Sequence, residues 1–118
     1  MLTRDQILGA KDLARETVNI PEWGGNIIIR EMTGKQRDLL EGMMASRMGA
    51  NGRIMSTKDL RAKMTIMSVI GEDGETLFDD KDIPSISGKS GKALDRIVEA
   101  VQKLNGLDSE DIEEKAGN

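Results

Sequence analysis

The fold turns on one stretch, Arg15-Glu16-Thr17-Val18-Asn19-Ile20-Pro21-Glu22-Trp23-Gly24-Gly25-Asn26-Ile27-Ile28-Ile29-Arg30. Thr17 to Ile20 alternates polar and apolar residues, the period of a half-buried strand. Asn26 to Ile29 adds three consecutive β-branched residues, which suit a pleated surface better than a helix. Between the two runs, Gly24-Gly25 supplies the positive φ that a tight reversal needs. Pro21 has no amide hydrogen to donate, so it belongs at a strand end or on an outer edge. A β-hairpin over residues 15–32 is therefore expected. An isolated hairpin is only marginally stable in water, so the rest of the chain must supply a layer for it to lie on.

Helix signals on both sides supply that layer. Thr3 with Gln6 forms a capping box that opens a short helix over 3–11, weakened by Gly9. A second box, Thr33 with Gln36, opens a helix over about 34–48. Its apolar stripe is Leu39, Leu40, Met43, Met44 and Met48. Gly49-Ala50-Asn51-Gly52 reads as a loop. Ser56, with Asp59 three residues on, starts a helix over about 57–70. Leu60, Met64, Ile66, Met67, Val69 and Ile70 give it a face wide enough to be buried on more than one side.

Gly71-Glu72-Asp73-Gly74 ends that helix, and Leu77 and Phe78 follow as a short apolar plug. Asp79 to Lys92 reads as a loop with one helical turn. Residues 91–105 carry Leu94, Ile97, Val98, Val101 and Leu104 on one face and Asp95, Arg96, Glu99, Gln102 and Lys103 on the other. Gly106 suits the left-handed position after that helix, with Leu107 folding back. A final small helix over 109–115, capped by Asp108, begins acidic and ends near Lys115, as the helix dipole favours. No internal repeat is visible. The expected architecture is α+β: a single, mainly helical domain over 1–118, with the hairpin laid on about three principal helices.

The residue types present exclude most chemistry. At 118 residues the chain can bury a core without metals or disulfides. With one Trp, one Phe and no Tyr, aliphatic residues and Met must fill that core. There is no His and no Cys, which removes the usual neutral-pH general base, the thiolate nucleophile and Cys/His metal sites. An enzyme is not expected, and neither is a cofactor. A Ser- or carboxylate-based enzyme would need two such groups converging, which the spacing does not predict.

Gly88-Lys89-Ser90 resembles the end of a phosphate-binding loop, but the glycine required five residues earlier is Ile83. The acidic run from Glu72 to Asp82 fails the calcium-loop pattern counted from Asp73, because its sixth position is Phe78. It is a solvated surface, and no metal site is expected. The net charge of −4 argues against a nucleic-acid partner. No apolar run approaches the ~20 residues of a membrane span, and the first eleven residues do not form a signal peptide.

Two surfaces are candidates for holding another polypeptide. All seven internal methionines lie between Met32 and Met67. Met fills irregular core gaps but also lines surfaces that accept varied apolar partners. The stripe Leu39, Leu40, Met43, Met44 and Met48, beside a loop, is one candidate groove; the competing reading is core packing. The second is a strand edge at Ile27-Ile28-Ile29, open to an added strand unless charges guard it.

Several stretches in order resemble one family. They are Val18-Asn19-Ile20-Pro21-Glu22-Trp23-Gly24-Gly25, Met32-Thr33-Gly34-Lys35-Gln36-Arg37-Asp38, Arg61-Ala62, Gly71-Glu72-Asp73-Gly74-Glu75-Thr76-Leu77-Phe78, and Leu104-Asn105-Gly106-Leu107 with its acidic tail. Together they are similar to the tail assembly chaperones of siphophages and related prophages. That resemblance implies a protein of the host bacterial cytoplasm that binds the long helical tape measure protein and keeps it soluble. It also implies recruitment of tail tube subunits and absence from the mature virion. Family members are often made in two lengths by a ribosomal frameshift, and a chain ending at Asn118 resembles the shorter product. The implied partners are thus the tape measure protein, the tail tube protein, a longer form of the chain itself, and a second copy in a homo-oligomer. The competing expectation is a minor tail or head–tail component that stays in the particle.

Overall fold

The structure, a computed structural model, describes residues 1–46 and 59–107. It is an α+β fold. The hairpin forms as the alternation predicts. Strand β1 (Arg15–Ile20) pairs antiparallel with β2 (Gly25–Arg30), in a register running from Arg15 opposite Arg30 to Ile20 opposite Gly25. A single 3-10 turn, Pro21–Trp23, carries the chain across. Gly24 then takes φ +70°, a conformation that a side chain disfavours. Asn19 and Asn26 face each other across the pair, and the Asn19 amide donates to Asn26 Oδ1 at 2.9 Å.

The helix expected over 57–70 is shorter at its end than its apolar pattern suggests. α3 spans Leu60–Ser68, and Val69 turns extended with φ −77° and ψ 126°. Val69–Ile70 becomes strand β3, antiparallel to β2, with Ile70 opposite Ile28 and Val69 opposite Ile29. Both residues stay buried. Two β-branched residues before a glycine lose little by leaving the helix and gain ladder bonds to β2. The sheet order is β1-β2-β3, and Thr76 bridges to Ile70 beyond β3.

Helix α2 (Gly34–Ser46) opens at the predicted capping box. Thr33 N donates to Gln36 Oε1 at 2.9 Å, and Gln36 N donates to Thr33 Oγ1 at 3.1 Å. The remaining amide of Gln36 donates to Met67 O at 3.0 Å, fastening α2 to the end of α3. The stretch 79–92 holds more helix than one turn. A 3-10 turn at Asp80–Asp82 leads into α4 (Ile83–Ser87), with Asp79 and Asp82 capping each other's backbone.

α5 (Gly91–Leu104) is capped by Ser90 and closes as foreseen. Gly106 sits at φ +70°, its N–H donates to Lys103 O, and Leu107 N donates to Gln102 O at 2.7 Å. That pair of bonds is the Schellman closure. Leu94, Ile97 and Val101 of α5 meet Met64, Met67, Ile20 and Ile29 in one core cluster. At the other end, α1 covers only Arg4–Leu8 within its capping box and buries nothing. The expected helix over 109–115 and the loop from Gly49 lie outside the described residues.

Candidate partner-binding surfaces

The structure divides the expected groove on α2. Leu40 and Met44 are each 3% exposed and belong to the core cluster with Met32, Met64 and Met67. Leu39 is 51% exposed, and Met43 is half-buried. Met48 lies outside the described residues. Leu40 and Met44 therefore pack inward, and the outward row of the stripe is reduced to Leu39 and part of Met43.

The expected open edge at Ile27-Ile28-Ile29 is displaced. β2 is the central strand, so Ile28 and Ile29 face β1 on one side and β3 on the other. Ile29 is fully buried, while Ile27 and Ile28 are half-buried. The physical reason lies at Val69–Ile70, whose change from helix to strand covers that edge at Ile28 and Ile29. The outer edge on the hairpin side belongs to β1, where Arg15, Glu16, Thr17 and Asn19 are exposed.

A third feature was not singled out by the sequence. Trp23, Thr65, Phe78, Asp82, Ser85, Ile86 and Lys89 line an open apolar cleft of about 330 Å³. Four separate elements build it. The hairpin turn delivers Trp23, 43% exposed, and is held over α5 by Arg96. Arg96 Nε donates to both carboxylate oxygens of Glu22, at 2.9 and 3.1 Å. Those bonds hold the Glu22 carboxyl below its ordinary range. Phe78 comes from the segment after β3, Ile86 from α4, and Thr65 from α3. The Thr65 hydroxyl is spent on Arg61 O at 2.9 Å, and Lys63 reaches Asp80 at 2.6 Å, tying the 3-10 turn to α3.

The signal available beforehand was compositional. A chain with only two aromatic residues placed one of them in a tight turn, where neither core packing nor turn geometry calls for a Trp.

A second cleft of about 500 Å³, of mixed polar and apolar lining, is walled by Asp59, Arg61, Ala62, Ser87, Lys89, Leu94 and Asp95 among others. Within it Arg61 Nε meets Asp95 Oδ1 at 2.7 Å, and Ser87 Oγ donates to Asp59 Oδ1 at 3.0 Å. Among the described residues, no three His, Cys, Asp or Glu side chains are grouped to hold a metal ion. No described helix is long and apolar enough to cross a membrane.

The sequence profile of a family described as phage tail assembly chaperone matches residues 3–118. Among solved structures, the bacteriophage HK97 tail assembly chaperone superposes with a TM-score of 0.58 at 19% identity, covering 89% of this chain and 95% of that one. At that identity the likeness is one of fold. No curated protein matches the sequence significantly.

Proposed function

Because this chain belongs to the phage tail assembly chaperone family, we propose that it binds the tape measure protein of its phage transiently and keeps it soluble while tail tube subunits gather. It acts in the host cytoplasm and leaves before the particle is complete. The supporting observation is the set of large apolar side chains left facing solvent on a highly charged chain. Leu39, Trp23 and Leu77 are joined by Leu2, Ile7 and Leu8 on and beside α1. Covering one such side chain contributes about 1.5–3 kcal/mol. Association costs on the order of 4–15 kcal/mol in lost freedom, so a handful of contacts gives a reversible hold. Reversibility is what an assembly factor requires. From the α2 stripe, Leu39 is the contact assigned to the partner, while Leu40 and Met44 belong to the core.

Co-expression with the tape measure protein tests this reading. The soluble fraction of the tape measure protein should rise, and the two chains should co-purify. Mass spectrometry of purified virions should not find this chain. Its presence there at the level of a tail protein would make it a structural component instead.

A further inference from the structure

We propose that Asn105 is a deamidation site that the fold holds inert, and that its conversion to a carboxylate unfastens the start of α2 from the end of α5.

Two structural demands meet at one peptide bond. Gly106 closes α5 at φ +70°, a conformation that favours glycine. Asn105, just before it, is a bolt between elements. Its Oδ1 accepts from Met32 N at 2.8 Å, just ahead of α2, and its Nδ2 donates to Val101 O at 2.8 Å, inside α5. Its backbone oxygen accepts from Arg37 of α2 at 3.4 Å. An amide suits this position because it sets an acceptor and a donor side by side. The outcome is an Asn-Gly step, in which no side chain on the following residue shields the attacking backbone nitrogen.

The reaction needs only water. Gly106 N gives up its proton and attacks Asn105 Cγ; the bond from Cγ to the side-chain nitrogen breaks and ammonia leaves. Water then opens the cyclic imide at either carbonyl, giving Asp or its β-linked isomer. The structure opposes the first step. Gly106 N–H is donated to Lys103 O at 3.2 Å, and both ends of the side-chain amide are held. Asn105 sits at ψ 2°, and ring closure requires that torsion and the side chain to turn together. Opening of the α5 closure therefore gates the chemistry.

Conversion then removes the bolt. A carboxylate beside Val101 O sets acceptor against acceptor and must turn away, leaving the Met32 N–H without its partner. The new charge stands at a helix C-terminus, where the dipole disfavours it. The β-linked isomer also lengthens the backbone within the closure.

The test incubates the full chain at mildly alkaline pH, folded in buffer and unfolded in urea. Peptide mapping follows Asn105 and separates it from the other Asn-Gly step, Asn51-Gly52. Conversion should be at least about tenfold slower in the folded chain, the protection given by a closure that rarely opens. Equal rates overturn the proposal. The urea sample is then refolded, and anion exchange isolates the species converted at Asn105 alone. It should unfold at lower urea than the intact chain and exchange its Met32 amide hydrogen faster. Asn105→Asp, made directly, carries the same comparison for the α-linked product without a refolding step. Unfolding midpoints and Met32 exchange that match the intact chain would show that conversion unfastens nothing.

Discussion

Helices α2 and α5 both begin at a hydroxyl cap, Thr33 and Ser90, and both carry apolar residues at helical spacing, yet they use those residues differently. α5 buries Leu94, Ile97 and Val101 and packs Val98 and Leu104 against the same core. α2 buries Leu40 and Met44 and leaves Leu39 out. The difference lies in how much core each helix is offered. Adjacent residues on a helix lie about 100° apart, yet α5 keeps both members of the pair Ile97-Val98 on the core, because it packs on α3 and on the hairpin together. Among the described elements α2 packs mainly on α3, and of its pair Leu39-Leu40 only Leu40 is buried, so one row remains for something else.

Truncating the two helices breaks the comparison most sharply. Ile97→Ala on α5 and Met44→Ala on α2 remove side chains from the packed interior and should each cost about 2–5 kcal/mol of stability. Leu39→Ala, one residue before Leu40, should stay within about 0.5 kcal/mol. Urea unfolding of the three variants checks this. A Leu39→Ala loss as large as that of Met44→Ala would return the outer row of α2 to the core.

A smaller effect tests what the outer row is for. Leu39→Lys places a charge where the chain is already exposed, so the unfolding midpoint should barely move. Binding to the tape measure protein should weaken by about 1 kcal/mol or more, roughly fivefold, as for a contacting apolar residue. The quantity to follow is retention of the tape measure protein at matched chaperone concentration. Unchanged retention removes Leu39 from the interface and leaves α2 as a packing helix only.

Local chemistry accounts for what the sequence made legible. The boxes at Thr3/Gln6 and Thr33/Gln36, the reversal at Gly24 and the closure at Gly106-Leu107 depend on residues within a few positions of each other. Each could be read in isolation. Val69–Ile70 could not, because its change to a strand is decided by β2, far away in the chain. For the same reason Ile27-Ile28-Ile29 looked like an edge: being an edge is a property of the sheet and not of the strand. The reciprocal caps of Asp79 and Asp82 were local, but the acidic residues there read as solvated charge rather than as the start of α4. The cleft was the least legible feature. Trp23 and Phe78 meet only once the hairpin and the segment after β3 are both docked.

α3, on which both helices pack, offers a quieter change of the opposite sign. Ser68 is fully buried, and its hydroxyl has no hydrogen-bond partner among the described residues. An unpartnered buried hydroxyl costs free energy that an alanine does not incur. Ser68→Ala should therefore be neutral or stabilising, by up to about 1 kcal/mol, read as a rise in thermal midpoint. A clear loss of stability would mean that the hydroxyl finds a partner in solution.

The finest distinction between the two helices is how each is tied down, and it is visible in pH. α2 is fastened by Gln36 and Arg37 donating to the carbonyls of Met67 and Asn105, acceptors that do not titrate. α5 holds the hairpin turn through Arg96 and the carboxylate of Glu22. The Arg96 hydrogen bonds lower the Glu22 pKa from its ordinary 4.5, so the folded state holds this proton less readily than the unfolded chain does. The contribution of the pair is accordingly complete above about pH 4.5 and fades as pH falls through the lowered folded value. Trp23, next to Glu22 in the turn, should change its emission across that acid range, and Glu22→Gln should abolish the step while leaving the neutral-pH spectrum nearly intact. Because the groups are at the surface, the effect on overall stability is small and shrinks with salt. An identical emission step in Glu22→Gln would assign it to another carboxylate and leave the attachment of α5 as indifferent to pH as the carbonyl-bound ties of α2.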